Sequence, residues 1–144
     1  MADDRLGGYA DALLAVAAAE GVSDVVEDEL FRFAEALRVS ESLLATVSDP
    51  GLPIERRQAV VEDLLGSRAS STTTALVSMV VGTGRGADLP AIVDEAVSRS
   101  AAGRNRALAR VRSAVELTED QKARLAAAIK SSVGTDVEIR VVID

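Results

Sequence analysis

Residues 73–96 read TTALVSMVVGTGRGADLPAIVDEA and hold the most apolar short segment of the chain, followed at once by its sharpest turn. A helix that starts near Ser71 is apolar on nearly every side here, through Leu76, Val77, Met79, Val80 and Val81. Gly82, Gly84 and Gly86 end this helix, and a second helix follows. Because so short a helix does not persist alone in water, we expect neighbouring amphipathic helices to cover it in a bundle.

The composition excludes most kinds of chemical site. The chain has 144 residues, which suits one domain with an appendage, and it contains no Cys, His or Trp. Disulfides, zinc sites of the usual ligands and a histidine base are therefore excluded. Two Phe and one Tyr are the only aromatic residues, so we expect thin, close-packed helices instead of an aromatic-lined pocket for a small molecule. The net charge of −7 disfavours a nucleic-acid partner.

No segment is predicted to cross a membrane. The longest unbroken apolar run, residues 12–19, is far shorter than the roughly 20 residues that a spanning helix needs. Asp3, Asp4 and Arg5 precede this run, so the positive start of a secretion signal is missing. We therefore expect a protein that stays in the cytosolic compartment.

Helices one and two are predicted from apolar residues at helical spacing. Helix one runs from about Leu6 to Glu20 and is capped by Gly21. Asp24 caps helix two, with Glu27 three residues later as in a capping box. We expect the buried side of helix two to consist of Val25, Val26, Leu30, Phe33, Ala34 and Leu37.

Three further helices complete an N-terminal set of six. A third helix opens at Ser40 and is broken by the Asp-Pro-Gly sequence at residues 49–51. A fourth helix starts near Ile54 and ends at Gly66, and Asp88 caps the sixth.

The pattern changes to two strands and one helix near the C-terminus. Residues 107–115 and residues 137–143 alternate with a period near two, which predicts strands. Between them, Thr118 and Gln121 form a capping box that introduces a helix ending before Gly134.

These C-terminal elements lie at the lower limit of independent stability, because the last strand leaves an edge unpaired. We expect that this region is truncated and that further strands complete it. The sequence therefore predicts a mainly α protein, with a six-helix bundle over residues 1–104 and a partial α/β region over residues 105–144.

Three polar groups invite a chemical interpretation, but a structural explanation is favoured for each. Residues 82–86 resemble a phosphate loop, yet they lack its Lys-Ser/Thr ending and follow a helix, so we interpret them as a helix stop. Asp24, Glu27 and Asp28 share a helical face and could bind magnesium or act as general acids, but negative charge is also favoured in a first turn. The hydroxyls of residues 70–74 suit capping better than nucleophilic catalysis. We predict no catalytic residue, metal ligand or cofactor.

A basic stretch has two open interpretations. No acidic residue lies between Ala96 and Val115, where the chain carries Arg99, Arg104, Arg106, Arg110 and Arg112. The stretch either docks an acidic partner helix or forms a solvated strand face.

Helices one and five carry the most informative surface. Residues on each helix align at steps of three and four, and they are Tyr9, Ala12 and Val16 with Leu76, Met79 and Thr83. Two such stripes side by side form a groove for a third amphipathic helix. Periodicity alone leaves open whether both stripes are ordinary core.

The chain also resembles a known family over its whole length, the delta subunit of bacterial F-type ATP synthases, which is equivalent to the mitochondrial oligomycin-sensitivity-conferring protein. Tyr9-Ala-Asp-Ala-Leu13 is similar to the family's opening helix, and Leu76 to Arg85 followed by Leu89 is similar to its fifth helix, Gly-Arg turn and sixth helix. The most specific piece is the junction VRSAVELTEDQ at residues 111–121. Residues 137–144 resemble the strand after the next helix.

The resemblance implies a non-catalytic stator subunit that links the catalytic head to the peripheral stalk of a proton-translocating complex. It implies that alpha subunits of the head and b subunits of the stalk are the partners, and that the protein lies peripherally at the cytoplasmic face of the cell membrane. In that family the groove between helices one and five receives the N-terminal helix of an alpha subunit. Carried over, the contact residues are Tyr9, Ala12, Val16, Leu76, Met79 and Thr83.

Two alternatives remain from the residues alone. One is a stand-alone helical adaptor that binds another amphipathic helix in the same groove. The other is a carboxylate-dependent enzyme or nucleotide binder, which depends on the acidic cluster or on the glycine turn.

Overall fold

The computed structural model describes residues 3–104 and 106–143, and within them the protein is mainly α, as predicted. The helices are α1 (Asp3–Ala19), α2 (Ser23–Val39), α3 (Glu41–Ser48), α4 (Ile54–Leu65), α5 (Ser71–Gly82), α6 (Leu89–Gly103) and α7 (Glu119–Val133). A 3₁₀ turn (Gly86–Asp88) precedes α6, and the strands are β1 (Ala107–Ser113) and β2 (Val137–Ile143). In the described residues, none of these helices combines the length and apolar character needed to cross a bilayer.

The chain forms two compact units, Met1–Ala96 and Val97–Asp144. The predicted boundary between residues 104 and 105, and the end of the last predicted strand at Asp144, lie at residues outside the described part of the chain. The predicted domain limits therefore stay a prediction.

Several helix ends form through the local chemistry that the sequence predicts. The Ser40 side chain accepts a hydrogen bond from the amide of Leu43 at the start of α3. Thr118 and Gln121 make both hydrogen bonds of a capping box at the start of α7. The backbone of Gly134 is left-handed, with φ of 79°, at the end of the same helix.

The predicted start of α2 is wrong. The N-cap residue is Val22, whose side chain makes no capping hydrogen bond, and Asp24 lies within the first turn. Glu27 is only 3% exposed and lies on the buried side of the helix. Val25, predicted to be buried, is 50% exposed. The helix begins earlier than predicted because tertiary packing, and not a side-chain cap, fixes its position.

The core of the N-terminal unit surrounds α5, as the sequence predicts. On α5 the buried apolar residues are Leu76, Val77, Val80 and Val81, and other helices add Leu13, Val26, Leu30, Leu37, Val47, Val61, Leu89, Ile92 and Val93. Met79 is the exception to the predicted burial, because 37% of its surface is exposed. One side of this helix therefore faces solvent.

A close backbone approach fixes the turn after α5. Gly84 has φ of 81°, in the left-handed region that favours glycine. Gly86 is buried, and a Cβ added there would lie 2.2 Å from the carbonyl oxygen of Val47. A side chain at this position would separate α3 from the 3₁₀ turn, so glycine is required there.

The C-terminal unit contains a parallel strand pair. Ala107 pairs with Val137 and Ser113 with Ile143, and α7 packs against β2. No residue of α7 is buried, and its apolar side chains Leu125, Ala126 and Ile129 are half-buried. This unit covers its apolar residues much less completely than the N-terminal unit does.

Candidate partner-binding groove

The structure places the two predicted stripes on helices that touch each other, because α1 and α5 are in contact. We call the predicted stripes of these two helices the α1–α5 groove. Its predicted residues are Tyr9, Ala12 and Val16 on α1, Leu76 and Met79 on α5, and Thr83 at the C-cap of α5.

On α1, one narrow stripe is buried and the predicted residues lie beside it. Ala10, Leu13 and Ala17 are almost completely covered by the bundle. Ala12 is exposed, Val16 is 41% exposed, and Tyr9 is half-buried. The wide apolar surface of α1 is therefore only partly used inside the unit.

On α5, exposed residues recur at every fourth position. They are Ser71, Ala75 and Met79 within the helix and Thr83 at its C-cap, and they form one row along it. Leu76 is 5% exposed and belongs to the core. Five of the six predicted contact residues thus have surface available to a partner, and Leu76 lies beneath it.

A carboxylate on α2 holds the start of α5 in place. The Glu29 carboxylate accepts hydrogen bonds from the Ser70 amide (3.0 Å), the Ser70 hydroxyl (2.8 Å) and the Thr73 hydroxyl (2.7 Å). Burial raises the pKa of Glu29, but the hydrogen bonds from Thr73 and Ser70 outweigh this effect and hold the pKa below its usual range. Glu29 therefore stays ionised at neutral pH and, from a separate helix, holds Ser70, whose hydroxyl caps α5 by accepting a hydrogen bond from the Thr73 amide.

Two side chains of α4 fix the opposite side of α5. The Gln58 amide donates a hydrogen bond to the carbonyl oxygen of Ser78 (2.9 Å), and the Ser78 hydroxyl donates one to Glu62 (2.8 Å). Because α5 is held by α2 and α4, the row that contains Met79 is presented on a rigid helix.

None of the six predicted contact residues of the α1–α5 groove carries a charge. The exposed row on α5 consists of small, hydroxyl or thioether side chains, and none of them is charged. Tyr9, Ala12 and Val16 add apolar surface from α1. An apolar helix face is the kind of ligand that such a surface binds.

The space beside the glycine turn is filled by backbone atoms of another part of the chain. The Val47 carbonyl oxygen fills the space beside Gly86. An acceptor oxygen next to this turn disfavours a phosphate there, so the helix-stop interpretation is supported.

The acidic cluster does not share one exposed face. Asp24 is exposed, Glu27 is buried, and Asp28 lies 3.2 Å from Arg32 in an ion pair. Within residues 3–104 and 106–143, no group of three or more acidic side chains is arranged to hold a metal ion. Asp24 is thus solvated, Asp28 is half-buried and paired with Arg32, and Glu27 is part of the packed helix face.

The basic stretch is partly engaged within its own unit. Two nitrogens of Arg104 hydrogen-bond the Glu138 carboxylate at 2.5 and 2.6 Å. These hydrogen bonds hold the pKa of Glu138 below its usual range, although burial partly opposes them. Arg110 and Arg112 are exposed on β1 and alternate with the half-buried Val111, which is the pattern of a solvated strand face.

Several of these residues were not predicted from the sequence. Glu29 and Gln58 act on backbone groups that are 41 and 20 residues away, and no local pattern marks them. Ala75 could have been found, because it lies four residues before Met79 in the same row.

Comparison with known proteins agrees with this architecture. A family model described as ATP synthase delta (OSCP) subunit matches residues 7–144. A chain in the cryo-EM structure of the Toxoplasma gondii mitochondrial ATP synthase hexamer has a similar fold, with a TM-score of 0.68 and 20% sequence identity. That match covers 96% of this chain and 77% of the other.

Curated relatives from two bacteria are named ATP synthase subunit delta. The Streptomyces avermitilis protein is 37% identical over 141 residues, covering 98% of this chain and 51% of its own length. The Acidothermus cellulolyticus protein is 37% identical over 133 residues, covering 92% of this chain and 48% of its own length. The chain therefore spans about half the length of these curated relatives.

The described elements define a mainly α protein, with a helical N-terminal unit and a small parallel β-α-β unit. Within this class, the chain belongs to the ATP synthase delta (OSCP) subunit family.

Proposed function

We propose that this chain acts as a non-catalytic stator subunit of an F-type ATP synthase, and that its α1–α5 groove binds the N-terminal helix of an alpha subunit of the catalytic head. In this role the subunit is peripheral to the membrane, at its cytoplasmic face. It connects the head to the b subunits of the peripheral stalk.

The observation that carries the proposal is the pair of exposed apolar side chains on two touching helices. Val16 on α1 and Met79 on α5 are 41% and 37% exposed, although most large apolar residues of this unit are buried. Membership in the delta family supports the choice of an ATP synthase subunit as the partner.

A stator subunit works by staying bound while the rotor applies torque, so its function depends on its binding affinity for its partners. Burying an apolar side chain completely stabilises by about 1.5–3 kcal/mol, so covering Val16 or Met79 contributes roughly 0.6–1.2 kcal/mol each. Neither residue alone can supply strong binding. The affinity has to come from contacts along the whole groove, as is usual for a helix bound in an apolar groove.

The test is a calorimetric titration of the protein with a synthetic peptide of the alpha-subunit N-terminus from the same organism. Met79→Asp places a carboxylate against an apolar helix face, and we expect the Kd to rise by at least about 100-fold. Ala12→Asp is expected to weaken binding in the same direction. Both variants should keep the helix content of the parent protein by circular dichroism.

Ala59→Asp is the matched control, because Ala59 is also an exposed alanine within a helix but lies on α4. Its Kd should equal that of the parent. The proposal is wrong if the peptide does not bind, or if binding survives both groove substitutions. Unfolding of the Met79 and Ala12 variants would show instead that these side chains are core.

Contact with the b subunits is proposed for the C-terminal unit. Its exposed Arg110 and Arg112 and the half-buried apolar residues of α7 support a protein-binding role. A soluble fragment of the b subunit should bind the protein in a pull-down at low salt, more weakly as salt rises. Failure to bind contradicts this part of the proposal only.

The stand-alone adaptor is separated from the stator subunit by the same titration. An adaptor for another protein would bind unrelated amphipathic peptides as well as the alpha-subunit peptide. We expect a scrambled peptide of equal composition to show no binding.

A further inference from the structure

Sulfur is rare in this chain. The sequence has no cysteine and two methionines, Met1 and Met79. It also has no histidine and no tryptophan. Because hydrogen peroxide reacts with protein sulfur before other side chains, the methionines are the groups that this oxidant attacks.

Met79 lies where such an oxidant can reach it. It is 37% exposed, whereas its neighbours Leu76 and Val80 are buried. The side chain of a helical residue leans over the preceding turn, and there Ala75 belongs to the same exposed row. Because an alanine methyl group is too small to cover a thioether, the sulfur of Met79 is not shielded from that side.

The place of Met79 in the α1–α5 groove gives its oxidation a consequence for binding. Met79 and Val16 are the exposed large apolar side chains of α5 and α1. Oxidation converts the flexible, apolar thioether into a polar, chiral sulfoxide. An apolar helix face offers no hydrogen-bond donor to the new oxygen, and burying a polar group without a partner costs free energy. The sulfoxide therefore weakens binding of such a helix.

The fold of the N-terminal unit does not depend on the unoxidised thioether. The start of α5 is held by Glu29 through Ser70, and its side is held by Gln58 through the Ser78 carbonyl. The oxygen is added to a side chain that already faces solvent. Oxidation of Met79 therefore changes the binding surface and leaves the packed helices intact.

We propose that Met79 is a reversible oxidation site that controls the affinity of the α1–α5 groove, an inference that rests on the proposed function. Hydrogen peroxide transfers one oxygen atom to the sulfur: an S–O bond forms, the O–O bond breaks, and water leaves. Methionine sulfoxide reductases reverse this step, since two thiols are oxidised to a disulfide while the sulfoxide oxygen leaves as water. A bound partner helix covers Met79, so the oxidation acts on subunits that have not yet bound their partner.

Peptide mapping by mass spectrometry measures the oxidation of Met79 itself. Trypsin cleaves after Arg68 and Arg85, so Met79 is found in a different peptide from Met1. In the isolated protein, we expect peroxide to oxidise Met79 within about tenfold of its rate in the urea-unfolded chain. A saturating amount of the alpha-subunit peptide should slow this oxidation by at least about tenfold, because the bound helix covers the sulfur.

Calorimetry measures the effect on binding. Peroxide treatment should raise the Kd of the parent protein for the alpha-subunit peptide at least about tenfold, which is less than for Met79→Asp because the sulfoxide is uncharged. Methionine sulfoxide reductases A and B together, one for each sulfoxide epimer, should return the Kd to its untreated value. Helix content by circular dichroism should be the same before and after treatment.

Met79→Leu is the matched control, because leucine has a similar volume and no sulfur. Its Kd is compared before and after peroxide treatment, and the two values should be equal. Any loss of affinity through Met1 or through another side chain would appear in this variant as well.

Three results overturn this inference alone when the untreated protein binds the peptide. One is a Met79 that peroxide oxidises in the unfolded chain but not in the folded one. The second is a Kd that oxidation of Met79 leaves unchanged or that the reductases do not restore. The third is a Met79→Leu variant that loses affinity on treatment as the parent does. If the untreated protein does not bind the peptide, the proposed function fails, and this inference fails with it.

Discussion

The contact between Glu29 and the start of α5 predicts a stability effect that depends on pH. In Glu29→Gln, an amide replaces the carboxylate that receives hydrogen bonds from Ser70 and Thr73 at 2.7–3.1 Å. One carboxylate oxygen is thereby replaced by an NH₂ group, which is itself a donor and faces the donors of Ser70 and Thr73. A hydrogen bond to a charged group is worth about 1.5–3 kcal/mol and a neutral one about 0.5–1.5 kcal/mol, so we expect a loss of roughly 1–3 kcal/mol in the free energy of unfolding.

The direction of the pH effect follows from the lowered pKa of Glu29. The carboxylate contributes its stabilisation fully above its ordinary pKa of 4.5, and this contribution is lost as the pH falls through the lower pKa of the folded protein. The difference between the parent and Glu29→Gln should therefore be largest at pH 7. It should shrink as the pH falls below the ordinary pKa of 4.5, because the carboxylate of the unfolded parent takes up a proton there while the folded state still resists protonation.

Urea unfolding followed by circular dichroism at 222 nm, at pH 7 and at about pH 3, measures this difference. Glu55→Gln is the control, because Glu55 is an exposed first-turn residue of α4 and its substitution affects mainly the helix dipole, worth about 0.3–1 kcal/mol. The reasoning is refuted if Glu29→Gln costs no more than Glu55→Gln at pH 7. It is also refuted if the cost of Glu29→Gln is the same at both pH values.

Two further pairs of substitutions test the packing around α5. Gly86→Ala places a Cβ against the Val47 carbonyl oxygen and should lower the free energy of unfolding in urea by about 1–3 kcal/mol. Gly8→Ala is the control, because no atom lies within 4 Å of its new Cβ, and it should raise the free energy of unfolding by up to about 1 kcal/mol. Equal effects of the two substitutions would show that Gly86 is not constrained. Leu76→Ala, in the core, should lower the free energy of unfolding by about 2–5 kcal/mol. Met79→Ala, on the exposed row of the same helix, should lower it by less than about 1 kcal/mol. If Met79→Ala costs as much as Leu76→Ala, Met79 belongs to the core and the groove loses its α5 wall.

Local signals in the sequence were sufficient for the order and type of the elements. The side chains of Ser40 and Thr118 cap the helices they precede, and Gly134 ends a helix as predicted. Alternation of apolar and polar residues with a period near two predicted both strands. These signals act between residues at most four or five apart, so they do not depend on how the chain folds back on itself.

The faces of the helices were predicted less well. Val25 belongs to the apolar periodicity of α2 but is half exposed, and Glu27, which reads as a solvated acid, is buried. Met79 lies among buried neighbours in sequence, yet it faces solvent. Periodicity identifies residues that share a face, but only the neighbouring helices decide which of two apolar faces is covered.

By itself, the sequence determined a mainly α chain with α5 at its centre, and it excluded cysteine and histidine chemistry. The tertiary structure decided that α1 and α5 touch and that each leaves an apolar side chain uncovered. The reason is the range of the interactions: caps and periodicity act within a turn or two of helix, whereas Glu29 reaches an amide that is 41 residues away. Contacts of that kind exist only after the helices have packed, and they fix which surfaces remain available to a partner.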